Sequence, residues 1–110
     1  MKSVLTTEKG ICYLCNKHGL THLHHIYHSH HSKQFKKLQE KMGLVVYLCY
    51  ECHEGTYGVH GSKGAEKDLD LKKIAQFAWM QEFQEEYPYE KHAQEAAYEE
   101  WIKKIGKNYL

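Results

Sequence analysis

The sequence predicts a small α+β domain, with a metal-bound frame around two short strands and two helices closing the chain. Three observations predict it. The four cysteines form two Cys-x-x-Cys pairs, "CYLC" and "CYEC". Two short apolar runs near them, "LTHLHHIY" and "LVVYLC", have strand character. From about Asp68 the apolar spacing becomes helical. At 110 residues the chain is expected to be one domain (1–110), with a zinc-bracketed core over 11–61 and a helical part over 66–106. A core of that size is modest, and a structural staple would help it.

The cysteines are Cys12, Cys15, Cys49 and Cys52. The N-terminal stretch "MKSVLTTEKGIC" has no apolar signal-type region, and no run approaches a bilayer span. The chain therefore reads as cytoplasmic, where paired thiols are metal ligands rather than disulfides. Two residues between thiols let a knuckle aim both sulfurs at one ion. Two knuckles complete the tetrahedron that structural zinc prefers. The expected frame is treble-clef-like, with residues 16–48 held between the knuckles.

In chain order, "KGICYLCNKHG" reads as the first knuckle, with Gly10 and Gly19 at its edges. "LTHLHHIY" alternates like a strand. "SKQFKKLQEKMG" is a short basic helix ended by Gly43, and "LVVYLC" is the second strand. "CYECHEGTYGVHGSKG" starts as a helical turn and breaks into a glycine-rich loop. "DLDLKKIAQFAWMQEFQEEY" is a helix capped by Asp68 or Asp70 and stopped by Pro88, with Leu71, Ile74, Phe77, Ala78 and Gln81 on its apolar stripe. The last helix places Ala93, Ala97, Trp101 and Ile105 on one stripe and meets Gly106. The two stripes are expected to pack on each other or on the zinc core.

The net charge of +1 hides an asymmetry. Residues 1–60 carry a net +3 and residues 61–110 a net −2. All fifteen basic residues are lysine. Without arginine the bidentate fork that reads guanine is missing, so contact with nucleic acid would run through phosphate, with weak sequence specificity. Lys33, Lys36 and Lys37 are the lysines best placed for that, next to the histidines.

Six of the ten residues from His22 to His31 are histidine, and His53 follows Cys52 directly. Imidazole is the commonest metal ligand and proton-transfer group. In "CYLC", "LHHI" and "LCYECH", over roughly residues 11–60, the chain resembles the HNH (ββα-metal, or His-Me finger) nuclease family in its zinc-bearing form. Its tail is similar to small phage and prophage HNH-like proteins. The resemblance implies a ββα-metal motif inside the zinc frame and a DNA endonuclease activity. It implies His25 as general base, His24 and His53 as ligands of one Mg²⁺-type divalent ion, and the four cysteines as the structural zinc site. His60, seven residues beyond His53 across glycines, is a further candidate ligand. A neutral imidazole titrating near pH 7 suits phosphodiester hydrolysis. Two features depart from the family pattern. The acid that usually precedes the paired histidines is replaced by His22. The middle asparagine has no counterpart between "HHI" and "LC", where His31, Ser32 or Gln34 are the candidate substitutes. His18, His22, His28, His30 and His31 read as ancillary. The other readings of the chain are a non-catalytic zinc module that binds nucleic acid and a phage-encoded protein-binding module.

Overall fold

The computed structural model describes residues 2–28, 32–88 and 92–110. His30 and His31 of the histidine tract lie outside these. The elements are β1 (His22–His25), α1 (Lys33–Met42), β2 (Val45–Leu48), α2 (Tyr50–His53), α3 (Ala65–Glu86) and α4 (Ala93–Ile105). The protein is thus a small α+β structure with one two-stranded sheet and four helices.

The first knuckle closes as its glycines suggest. Gly10 and Gly19 both have positive φ, and the Gly19 N–H donates to Gly10 O at 2.9 Å. Between them the Asn16 N–H returns to Cys12 O, with Asn16 itself at φ 63°. β1 and β2 pair antiparallel, with His22 opposite Leu48 and His24 opposite Val46. Strand alternation puts His22 and His24 on one face and Leu23 and His25 on the other.

The excursion between the strands is ordered by caps. Ser32 Oγ accepts from the Phe35 N–H at 3.1 Å and starts α1. Gly43, at φ 79°, ends it. A Cβ on Gly43 would run into the backbone of Lys2 and Val4, which packs against this turn.

α3 differs from expectation at its start. It begins at Ala65, not at Asp68 or Asp70, because the glycine loop delivers the chain directly into the helix at Gly64. Gly64 lies so close to Gly58 that a Cβ would overlap the Gly58 carbonyl. Asp68 therefore sits inside the first turn with its carboxylate free for other partners. The buried side of α3 also differs. Leu71, Ala75, Gln76 and Met80 are buried, whereas Ile74 and Phe77 are exposed. Gln76 sets this rotation: its amide donates to Asn108 Oδ1 at 2.9 Å and accepts from the Tyr109 N–H at 2.7 Å. The C-terminal tail is thereby fixed along that side.

α4 buries Ala97 and Trp101 as its stripe predicts and ends at Gly106, φ 90°. Its stripe packs in both expected directions. One buried cluster joins Cys12, Cys49 and Cys52 to Ile26, Leu48, Leu71 and Trp101. Tyr27 is the hinge pin of this core. Its ring meets Trp101 at 5.3 Å, and its hydroxyl donates to Lys72 O at 2.6 Å. No helix among the described residues is long and apolar enough to cross a membrane.

Candidate metal centre

The structure brings the four cysteines together. Their sulfurs all lie within 4.8 Å of one another, and none is in a disulfide. Cys15 Sγ and Cys49 Sγ are 3.7 Å apart. Sulfurs bound tetrahedrally at about 2.3 Å from one zinc are separated by about 3.8 Å. The cluster can therefore hold a structural metal such as zinc with little rearrangement.

The thiols are electrostatically unequal. Burial pushes the Cys12 thiol up, but backbone N–H groups of Cys49, Cys15 and Leu14 outweigh it and bring the pKa to about 6. Burial raises Cys49 and Cys52, and neighbouring thiols raise Cys52 further. Without a cation, four adjacent thiolates repel one another. An ion that neutralises them releases protons and draws the two knuckles together.

Above the sheet, the histidines form a bowl. His24 comes from β1, His53 from the end of α2 and His60 from the glycine loop. The loop is wound back on α2: Val59 N–H donates to Cys52 O and His60 N–H to His53 O, both at 2.9 Å. That return brings His60 beside His53. Ring centroids are 5.1 Å apart for His24 and His53, 5.0 Å for His24 and His60, and 4.7 Å for His53 and His60. Imidazoles sharing one ion have centroids about 4.5 Å apart in octahedral and about 5.2 Å apart in tetrahedral coordination. The three rings could hold one metal ion, with donor atoms all within 4.8 Å of one another.

Their electrostatics favour the ligand form. His24 is 1% exposed and its pKa falls to about 3, first by burial and then through His53, His60 and His28. Burial also lowers His53 and His60, with Glu54 opposing. Neutral imidazoles are what a metal requires. Among the described residues, His24 Nε2 and His25 Nε2 are the buried side-chain donors or acceptors without a hydrogen-bond partner. For His24, an ion in the bowl would satisfy that atom.

His25 is placed elsewhere. Strand alternation turns it away from the bowl toward α1, where its Nε2 lies 3.6 Å from Glu40 Oε2, beyond hydrogen-bond reach. Lys33, Lys36 and Lys37 are exposed on α1. With Glu40 they follow the i, i+3, i+4, i+7 spacing of one helical face. The lysine stripe therefore leads to His25.

Three groups at the site were not singled out from sequence. His28, read as ancillary, joins the bowl with its ring 4.4 Å from His60. It is held by Asp68, whose Oδ1 is 2.9 Å from His28 Nε2. Burial works against the Asp68 carboxylate, but its bonds to His28 and Lys72 prevail and lower its pKa. The third group is Gln39. Of the residues proposed to replace the missing asparagine, Ser32 is spent on capping α1. Gln39 instead is fully buried and clamps Tyr27 from both sides: its Oε1 accepts the Tyr27 N–H and its Nε2 donates to Tyr27 O, each at 2.8 Å. This clamp fixes the chain between His25 and His28. Gln39→Leu strands both buried backbone groups, at about 1–3 kcal/mol each. It is expected to lower unfolding free energy by about 2–5 kcal/mol, measured by urea denaturation.

Comparison with protein-family models, curated proteins and solved structures gave no match.

Proposed function

We propose that the protein is a metal-dependent DNA endonuclease of the HNH type, with a treble-clef-like zinc frame around a ββα-metal motif. The observation that carries the reading is the convergence of His24, His53 and His60 at coordination spacing, directly joined to the four-thiol cluster through Cys52–His53. A divalent ion held there would stabilise charge on a scissile phosphate and on the leaving oxygen. Three imidazoles favour a transition ion such as Mn²⁺, Co²⁺ or Zn²⁺ over Mg²⁺, which prefers oxygen ligands. His25 is the general base of this reading; its ring lies on the opposite face of β1 from the bowl, so taking the proton of the attacking water requires the end of β1 to turn it toward the ion. Glu40, 3.6 Å from the ring and making no hydrogen bond to it, would stabilise the resulting imidazolium through its charge. Lys33, Lys36 and Lys37 contact backbone phosphates as point charges, which gives salt-sensitive binding with little base preference.

Plasmid nicking tests this. The wild-type chain is expected to nick supercoiled DNA with Mn²⁺ or Mg²⁺ and to lose activity on chelation. His25→Ala is expected to lower the rate by about 10²–10⁴-fold with zinc content unchanged. Equal nicking by His25→Ala and wild type would remove His25 from the mechanism.

A second reading is a non-catalytic zinc module that binds DNA through the α1 lysines. The opposed placement of His25 and the bowl favours it. DNA binding that weakens with salt, without cleavage under any divalent ion, would select it.

A further inference from the structure

Two sets of donors flank the three-ring group. On one side, His28 Nε2 and Asp68 Oδ1 are 2.9 Å apart, and a ring nitrogen of His24 lies within 4.8 Å of both. On the other, His22 Nδ1 and His53 Nδ1 face each other at 3.3 Å, with a Glu54 carboxylate oxygen within 4.8 Å. Each set contains two imidazoles and one carboxylate, and the two share no residue. Donors at about 2.1 Å from one ion lie about 3.0 Å apart on adjacent octahedral positions and about 3.4 Å apart on a tetrahedron. Both observed separations match. Hydrogen bonding accounts for the His28–Asp68 pair but leaves much unexplained. Two imidazole nitrogens at 3.3 Å make a long bond at best, and His24 Nε2 is buried with no hydrogen-bond partner. His60 lies between the sets, its ring 4.4 Å from His28, 5.0 Å from His24 and 4.7 Å from His53.

We infer that the bowl is a binuclear centre for divalent transition ions: one on His24, His28 and Asp68, the other on His22, His53 and Glu54. His60 is positioned to join either. The inference rests on the reading of the bowl as a metal centre and changes its stoichiometry. Sets of two imidazoles and a carboxylate with open positions suit Fe²⁺, Mn²⁺, Co²⁺ or Zn²⁺. Lys72 Nζ holds Asp68 Oδ2 at 2.9 Å, so Asp68 ligates through Oδ1 alone. The pair also ties α3, outside the zinc frame, into the centre. Two ions carry more charge than Asp68 and Glu54 neutralise, and Lys72 adds to the excess. The second ion therefore binds more weakly than the first, and the loaded bowl attracts anions.

Co²⁺ titration of the metal-free chain, which refolds as the first ion fills the thiolate site, tests this, with equilibrium dialysis counting ions and thiolate-to-cobalt absorption reporting the cysteine site. Wild type is expected to take up three Co²⁺ per chain: one at the thiolates, then two in the bowl in separate steps. Glu54→Gln and Asp68→Asn are each expected to lower the total to two, with thiolate absorption unchanged. Glu54 is exposed, so its variant stays informative if Asp68→Asn does not fold. A wild-type total of two, or totals unmoved by both substitutions, overturns the binuclear centre. Nicking is scored separately. Nicking with a total of two leaves the nuclease reading standing without the pair. A total of three without nicking leaves the pair standing without the nuclease.

Discussion

Cys49→Ser is expected to abolish cooperative folding at 37 °C, and chelation of the wild-type chain is expected to do the same. Cys49 is both a member of the four-sulfur cluster and the N-cap residue of α2. Structural zinc contributes about 10–16 kcal/mol of apparent folding free energy in small zinc domains, against about 5–15 kcal/mol of net stability for a typical domain. Serine oxygen is a poor substitute for thiolate on zinc, so most of that contribution disappears. The loss spreads, because the cysteines belong to the same buried cluster as Ile26, Leu48, Leu71 and Trp101. His53 follows Cys52 and His60 is hydrogen-bonded to His53, so the bowl disperses with the frame. Near-UV circular dichroism, thermal melting and zinc content check this together. A sharp wild-type-like transition in a zinc-free Cys49→Ser chain would show that the apolar core holds the fold alone.

The parts legible in sequence were those governed by local rules. The thiol pairs announced themselves by spacing, and glycine ended α1 and α4 where the helical patterns ran out. His24 and His53 were legible through the resemblance carried by "LHHI" and "LCYECH", and His60 through its seven-residue spacing from His53 across glycines. The rest depends on how distant elements are rotated. Asp68 read as a helix cap, because nothing local shows that α3 starts three residues earlier and frees its carboxylate for His28, 40 positions away. Gln39 was hidden for a similar reason. A glutamine within "KKLQEK" reads as exposed, and only the return of the chain past Tyr27 buries it. Ile74 and Phe77 looked like core, but the tail anchored on Gln76 covers a neighbouring side of the helix.

His24→Leu is expected to separate stability from function. In a chain carrying one equivalent of zinc at the thiolates, His24 is an apolar-sized cavity filled by a ring whose Nε2 has no hydrogen-bond partner. Such a buried group costs about 1–3 kcal/mol, which leucine, of similar volume, does not incur. The variant is therefore expected to be as stable as wild type at pH 7 or about 1 kcal/mol more stable. The pH dependence should differ more. Wild-type His24 has its pKa lowered from 6.5 to about 3, chiefly by burial. Between those values the unfolded chain binds a proton that the folded chain excludes. Its contribution to stability is complete above pH 6.5 and is lost as pH falls toward 3, on the order of a few kcal/mol. Leucine removes that slope, so at equal zinc content the urea midpoints of the variant should change less from pH 7 to pH 5. The same substitution removes a ligand from the bowl, so transition-metal uptake there should fall and nicking should drop by on the order of 10³-fold. If His24→Leu instead lowers stability at pH 7 by several kcal/mol and leaves metal uptake intact, the ring is a packing element and the bowl is not built around it. Retained stability with lost metal binding is the pattern of a side chain kept at the expense of the fold for the ion it holds.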